Sequence, residues 1–322
     1  MKLAAILVLT VLGLGAVLWG IDPEVVRQSL RDFDWRSFAV AWCCYWCTQV
    51  MRSWRLQALL TRPVPFWRVM SIMSLGFLAI NVIPLRMGEL VRPTLLTDEG
   101  VPFGEGMAAI FLERLADILM LLILLVSVGF MVELPPAGIV VGGTDVIAAG
   151  QHLFGVSVAG GMIALILLAV LGERALRYTD PLPAGQLVRR FVEGIHKLLA
   201  DPLRLVRVLG FTAMNWFVTL LAVWAMLAAS PGLPSHFGAA VFVWTLTVAG
   251  VAAVPTPGFF GGFEALCVAA LLVLGADGDK ARTFALLLHL GQFGFTVAIG
   301  GYYILREGLS LGELVRRASS RA

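Results

Sequence analysis

Long apolar runs separated by short polar clusters make up almost the whole chain. Runs from Leu3 to Gly20, from about Ser37 to the Arg52 region, from Met107 to Val132, from His152 to Leu171, from Val206 to Ala229 and from Thr283 to Leu305 predict helices that cross a bilayer. Each approaches or exceeds the roughly 18 to 20 residues that a hydrocarbon core demands. Two further runs, Val69 to Ile83 and Phe237 to Val254, stop early at proline-containing breaks. Between the first two spans, Asp22 is a candidate N-cap with Pro23 at the first helical position. Val25, Val26, Leu30 and Phe33 follow at helical spacing, which predicts a short helix lying in the interface.

The first break organises the chain. It reads Asn81-Val-Ile-Pro84-Leu-Arg86-Met-Gly88-Glu89-Leu-Val-Arg92-Pro93. Proline removes a backbone donor and fixes φ, so the helix ends or kinks there. Backbone groups freed at membrane depth must be satisfied by protein or water. The charges that follow are costly in lipid and mark a substrate path unless the segment is a surface loop. The second break reads Pro255-Thr-Pro257-Gly258-Phe-Phe-Gly261-Gly262-Phe-Glu264.

Charge placement separates these readings. Arg52, Arg55, Arg62 and Arg68 form a loop with no acid, and seven cations (Arg174, Arg177, Arg189, Arg190, Lys197, Arg204, Arg207) cluster after Leu171. Glu133 to Gln151 carries no Lys or Arg. By the positive-inside rule the first two segments are cytoplasmic and the third is extracytoplasmic. If Val69 to Ile83 crossed fully, both of the clearest loops would lie on the wrong side. If it dips in and returns, every loop falls correctly, and the same test makes Phe237 to Gly275 a hairpin from outside. The expected fold is an all-α polytopic membrane protein, with about six full transmembrane spans plus two re-entrant (broken-helix) hairpins in an inverted-repeat arrangement. Both termini are expected in the cytoplasm and the protein in the cell inner (plasma) membrane.

Composition supports one integral membrane domain over 1–322, with halves 1–132 and 151–305 and an amphipathic cytoplasmic linker over 172–205. Hydrophobic residues are 59% and charged residues 14%, and mean hydropathy is +0.89. In the linker, Leu187, Val188, Phe191, Ile195, Leu198 and Leu199 form one apolar face, expected on the inner leaflet. No polar stretch is long enough for a soluble catalytic core. Leu3 to Gly20 is longer than a typical signal h-region and lacks a small-residue cleavage site, so it reads as a span. Cys44 and Cys47 have CxxC spacing, but no further metal-ligand residues accompany them, and buried thiols pack as small hydrophobes. No metal or cofactor is expected, and the charge pattern reports orientation rather than a nucleic-acid partner.

Candidate chemistry sits at the breaks and in the next helix. Glu113 and Asp117 are four apart on one face, with Arg114 three before Asp117. Arg86, Arg92 and Arg114 are expected to pair with Glu89, Glu113 and Asp117. Two readings stand side by side: a polar cavity binding an anionic head group, and an ion-pair network pinning the hairpin. Arg52 and Arg55 are expected to snorkel to phosphates. Asn215, His289 and Gln292 read as helix–helix hydrogen-bonding residues, with proton carriage by His289 the sharper alternative.

Taken in order, Arg52-x-x-Arg55 before Leu59-Leu60, Asn81-x-x-Pro84-x-Arg86-x-Gly88-Glu89-x-x-Arg92, Glu113-Arg114-x-x-Asp117 and Pro255-x-Pro257-Gly258-x-x-Gly261-Gly262-x-Glu264 resemble the flippase-like transmembrane domain of lysylphosphatidylglycerol synthases. That family also includes stand-alone bacterial and archaeal membrane proteins. The likeness covers essentially the whole chain and departs at Phe259-Phe260, where a tighter Gly-rich turn is commoner. It implies lipid translocation between leaflets, without the synthases' soluble aminoacylating domain. The expected cargo class is an aminoacyl-phospholipid, a polyprenyl-phosphate glycan or a hopanoid. The residues implied in binding and translocation are Asn81, Pro84, Arg86, Gly88, Glu89, Arg92, Glu113, Arg114, Asp117, Pro257, Gly258, Gly261, Gly262 and Glu264, with none catalytic. Membrane lipids are the expected partners; a separate lipid-synthesising enzyme and a second copy of the chain stay open. The competing classes are a non-catalytic accessory subunit of a lipid or cell-envelope synthesis system and an intramembrane lipid-modifying enzyme.

Overall fold

The computed structural model describes residues 22–82, 88–132, 200–251 and 257–319, with short pieces at 15, 140–141, 144–145, 156, 159–160, 163, 189, 192–193 and 195–196. The expected first span, the span from His152 and most of the 133–151 loop and 172–205 linker lie outside these residues, as do Pro84 and Arg86.

Ten helices are described: α1 (Pro23–Arg31), α2 (Trp35–Leu59), α3 (Phe66–Val82), α4 (Val91–Asp98), α5 (Phe103–Met131), α6 (Pro202–Ala228), α7 (Phe237–Val251), α8 (Gly262–Val273), α9 (Gly278–Glu307) and α10 (Leu311–Ser319). A two-stranded antiparallel pair, Val140–Val141 with Thr144–Asp145, follows α5. Short turns of 3-10 helix precede α4 and α8. The starts follow the local sequence. Asp22 accepts from the Glu24 amide at 2.9 Å ahead of Pro23, as the spacing predicts. Asp34 caps α2, and Asp201 and Asp277 cap α6 and α9. Such caps satisfy amides that have no partner within the helix. The Ser37 hydroxyl donates to Asp34 at 2.7 Å, and this bond, followed by the Arg36 amide, holds the Asp34 carboxyl below its ordinary value.

Helices α6 and α9 have the length and hydropathy to cross a bilayer. Helix α5, 29 residues long, reaches roughly 44 Å at ~1.5 Å per residue. In contrast α3, α7 and α8, with 17, 15 and 12 residues, fall short of a ~30 Å hydrocarbon core. These shorter helices belong to two folded-back units. In the first, α3 leads into the break and α4 returns beside it, so that Arg68 near the start of α3 meets Glu99 just past the end of α4 at 2.6 Å. Gly88 sits directly on the α3 backbone, where an added Cβ would lie 2.3 Å from the Ala79 carbonyl carbon and the Ile80 amide nitrogen. In the second, α8 returns along α7. The chain then enters α9 beside the turn before α7, where the Lys280 ammonium approaches Gly232. Residues 257–259, at the second turn, rest on α3.

Contacts group the helix ends into two sets. At one end, Trp54 stacks near Phe211, and Arg68 bridges Glu99 and Glu307. At the other, the Asp34 amide donates to the Ala229 carbonyl at 2.9 Å, and Gly238 abuts Met131. Two apolar clusters fill the interior, one at each end. Helix α9 crosses α3 closely at Gly300, where a Cβ would lie 2.6 Å from that of Leu78; close backbone approach is how helices associate in lipid. Ile195, expected on the inner leaflet, is instead fully buried in the protein core together with Leu56 and Val208.

Candidate functional site

Four helices bring a charged cluster together. Arg55 comes from α2, Arg92 from α4, Glu113, Arg114 and Asp117 from α5, and Trp216 from α6. Arg55 is 1% exposed and Arg92 and Glu113 are fully buried. The Arg55 fork spans Glu113 and Asp117: Nη1 donates to Asp117 Oδ1 at 2.6 Å, and Nη2 to Glu113 Oε1 at 2.8 Å and Asp117 Oδ2 at 3.1 Å. Arg92 Nη1 donates to the other Glu113 oxygen at 2.9 Å. Asp117 also accepts from the Trp216 indole at 3.0 Å. Glu113 is thus shared between two guanidiniums, a geometry suited to arginine's planar set of donors.

Aromatic and small residues seat the arginines. Arg92 and Arg52 both lie over the Phe77 ring, at 5.6 and 4.8 Å from its centroid, within cation–π range. The Arg92 stem passes where the Cβ of any other residue at Gly76 would be, 2.2 Å from the Arg92 Cγ position. Arg52 Nε donates to Asn215 Oδ1 at 3.2 Å, which realises the helix–helix role expected of Asn215. Arg114 is more loosely held. Its side chain is 38% exposed and stands 4.0 Å from Glu89, 4.0 Å from Glu113 and 3.8 Å from Asp117.

The expected pairs Arg92–Glu113 and Arg114–Asp117 are therefore brought together, with Glu89 at the edge of contact. Arg55 departs from expectation. It does not snorkel; it is the shared partner of Glu113 and Asp117, because burial of two carboxylates four residues apart demands a cation that reaches both. The signal was present in α2, where Thr48, Gln49, Arg52, Ser53, Arg55 and Leu56 recur three and four apart and so share an inward face.

The other candidates are placed as follows. The Asn81 side chain donates back to the Phe77 carbonyl at 2.9 Å, closing the last turn of α3. Gly88 allows the close return described above. At the second break Gly258, Phe259 and Gly261 have φ of 61°, 63° and 86°, a left-handed path that glycine follows without strain and phenylalanine does not. Gly262 starts α8. Of Pro257 only its place in the 3-10 turn is described. Glu264, fully buried, accepts from the Gly261 amide at 2.7 Å and meets His289 Nδ1 at 2.7 Å. His289 thus links α9 to α8, as expected, while the Gln292 amide nitrogen has no hydrogen-bond partner among the described residues. No His, Cys, Asp and Glu group among the described residues could hold a metal ion. Cys43 and Cys47 are exposed on α2 and Cys267 is buried, all as free thiols.

Residues 2–300 match the family described as Lysylphosphatidylglycerol synthase TM region. The chain belongs to that family. It is a helical membrane domain of a lipid-related family, and the resemblance read from its motifs is confirmed. No curated protein and no solved structure matches it.

Proposed function

We propose that this protein carries a lipid with an anionic or modified head group between membrane leaflets, the head group resting against the arginine cluster while the acyl or prenyl tails stay in lipid. One observation carries this reading. Among the described residues, four guanidiniums (Arg52, Arg55, Arg92, Arg114) face three carboxylates (Glu89, Glu113, Asp117), an excess of one positive charge when all are ionised. Among the described residues, Arg55 Nε, Arg92 Nε and Nη2 and Arg114 Nε are buried donors without a hydrogen-bond acceptor. Buried polar groups are nearly always satisfied, and an uncompensated charge at membrane depth marks a transport path. A phosphate or similar oxyanion supplies the missing charge and acceptors together.

The two folded-back units support this reading as broken helices that meet near the midplane, α3 from the cytoplasmic side and α7 from outside, in halves of opposite orientation. That arrangement allows the cluster to open alternately to each leaflet. The protein then lies in the inner (plasma) membrane with both termini in the cytoplasm. The carrier reading is favoured over an intramembrane enzyme by the way the acids are held. Glu113 lies between two guanidiniums and Asp117 between Arg55 and Trp216, so neither is free to exchange a proton with a substrate. An enzyme would lose product formation in Asp117→Asn; a carrier changes leaflet distribution without changing lipid chemistry.

The test is leaflet exchange in proteoliposomes containing labelled phospholipids and polyprenyl phosphates, comparing the wild type with Arg114→Ala and Glu89→Gln. Protein-dependent exchange that is lost in folded variants supports the cluster as the carrying site. Absence of exchange with every lipid class moves the assignment to an accessory subunit.

A further inference from the structure

We infer that Glu264 and His289 form a buried proton-binding site that sets the state of the second folded-back unit. The inference rests on the carrier reading only where it touches lipid exchange. Glu264 is fully buried and His289 is 3% exposed, with Nδ1 and Oε1 2.7 Å apart. His289 stands eleven residues into α9, roughly 16 Å from its start at ~1.5 Å per residue, about midway through a ~30 Å hydrocarbon core. Two rings cover the imidazole: Phe263 stacks on it at 4.3 Å and Phe260 lies 4.6 Å away. Against the other helix, α7 contributes only neutral groups here, with Trp244 packed on Phe263 and Thr247 bonded to Cys267. Among the described residues, the Cys267 thiol, one turn along α8, is a further titratable group facing Glu264.

The chemistry follows from the charge count. With neutral imidazole donating from Nδ1, the pair carries one buried negative charge. With one more proton, on His289 Nε2, it becomes neutral overall. Burial of a net charge in low dielectric is costly, whereas a compensated pair is tolerated, so this site binds a proton drawn from the aqueous phase. The other Glu264 oxygen supplies the mechanical link by accepting the Gly261 amide. That bond restrains a turn in which Gly258, Phe259 and Gly261 all have positive φ. A carboxylate compensated by imidazolium attracts that amide less strongly. Proton uptake therefore loosens the turn, and residues 257–259 of that turn rest on α3, the helix carrying Phe77 and Gly76 beneath the arginines. Proton binding and the carrying site are in this way mechanically connected.

Two measurements on the purified protein test this. Nitrogen-15 histidine NMR in detergent follows His289, assigned by its loss in His289→Gln, across the pH range in which the protein stays folded. Uptake of one proton, with the transition displaced in Glu264→Gln, is expected. In proteoliposomes, lipid exchange is expected to change severalfold across the same transition in the wild type and to have a flat pH profile in His289→Gln. A His289 resonance that keeps one protonation state throughout overturns the proton site, whatever the exchange assay reads. A titrating His289 with exchange indifferent to pH overturns the coupling. Absence of exchange with every lipid removes the carrier reading alone, and the resonance still decides the proton site.

Discussion

Removing the Arg55 guanidinium takes from Glu113 and Asp117 the donor that binds both, leaving Arg92 on Glu113, Trp216 on Asp117 and the more distant Arg52 and Arg114 among the described residues. Breaking a buried pair by deleting one partner costs about 3–5 kcal/mol, so Arg55→Ala should lower thermal stability in detergent sharply. Arg55→Lys restores the charge but not the fork that reaches both acids, and should recover only part of the loss. Gly76 offers a steric counterpart. Alanine there places a Cβ 2.2 Å from the Arg92 Cγ, so Gly76→Ala should displace Arg92 and depress lipid exchange. Gly210→Ala on α6, where nothing lies within 4 Å, should be neutral or slightly stabilising, by up to ~1 kcal/mol. The Asp34 cap adds a pH dependence. Its carboxyl is held below the ordinary value by Ser37 and the Arg36 amide, so its contribution is fully present above the ordinary carboxylate range. That contribution is lost as pH falls through the lowered value. Acid titration of thermal stability should show a limb that Asp34→Ala flattens.

At the scale of elements, the decisive contact is Gly88 on the backbone of Ala79 and Ile80. Neighbouring side chains can move, but a clash with backbone at 2.3 Å forces α4 away from α3, and Arg92 moves with it. Gly88→Ala should therefore reduce both thermal stability and exchange, while Asn81→Ala, which removes a bond only to its own helix, should have the smaller effect. The break and the close return at Gly88 were legible in the sequence, because proline, glycine and charge inside an apolar run have few physical readings. The role of Arg55 was less legible. Its position among other cations before a polar loop suits snorkelling equally well, and only the three- and four-residue recurrence of polar groups in α2 distinguishes inward from outward. The second unit was legible as a break but not as a device. Glu264 reaching back to Gly261 is a local capping contact, whereas its reach across to His289 depends on a twenty-five-residue separation that no local pattern encodes.

For the whole molecule, the two sets of helix ends carry the topology. Arg68 joins the start of α3, the end of α4 and the end of α9 through Glu99 and Glu307. Asp34, Ala229, Lys280 and Met131 mark the opposite end through their own contacts. If the arginine-rich loop after α2 lies in the cytoplasm, as the positive-inside rule expects, the first set faces inward and the second outward. Single cysteines placed in a background lacking Cys43, Cys44, Cys47 and Cys267 test this in intact cells with a membrane-impermeant thiol reagent. Gln28→Cys and Ser235→Cys should react from outside, whereas Arg62→Cys, Asp98→Cys and Ser310→Cys should react only after the membrane is permeabilised. The decisive comparison is Arg62 with Asp98, which flank the first folded-back unit. Reaction of these two from opposite sides would mean that α3 and the segment after it cross the bilayer, which separates Arg68 from Glu99 and dissolves the arrangement that brings Arg92 to Glu113. Reaction from the same side leaves the charged stretch after Asn81 inside the membrane, where only a polar cluster such as the one around Glu113 makes its charges tolerable.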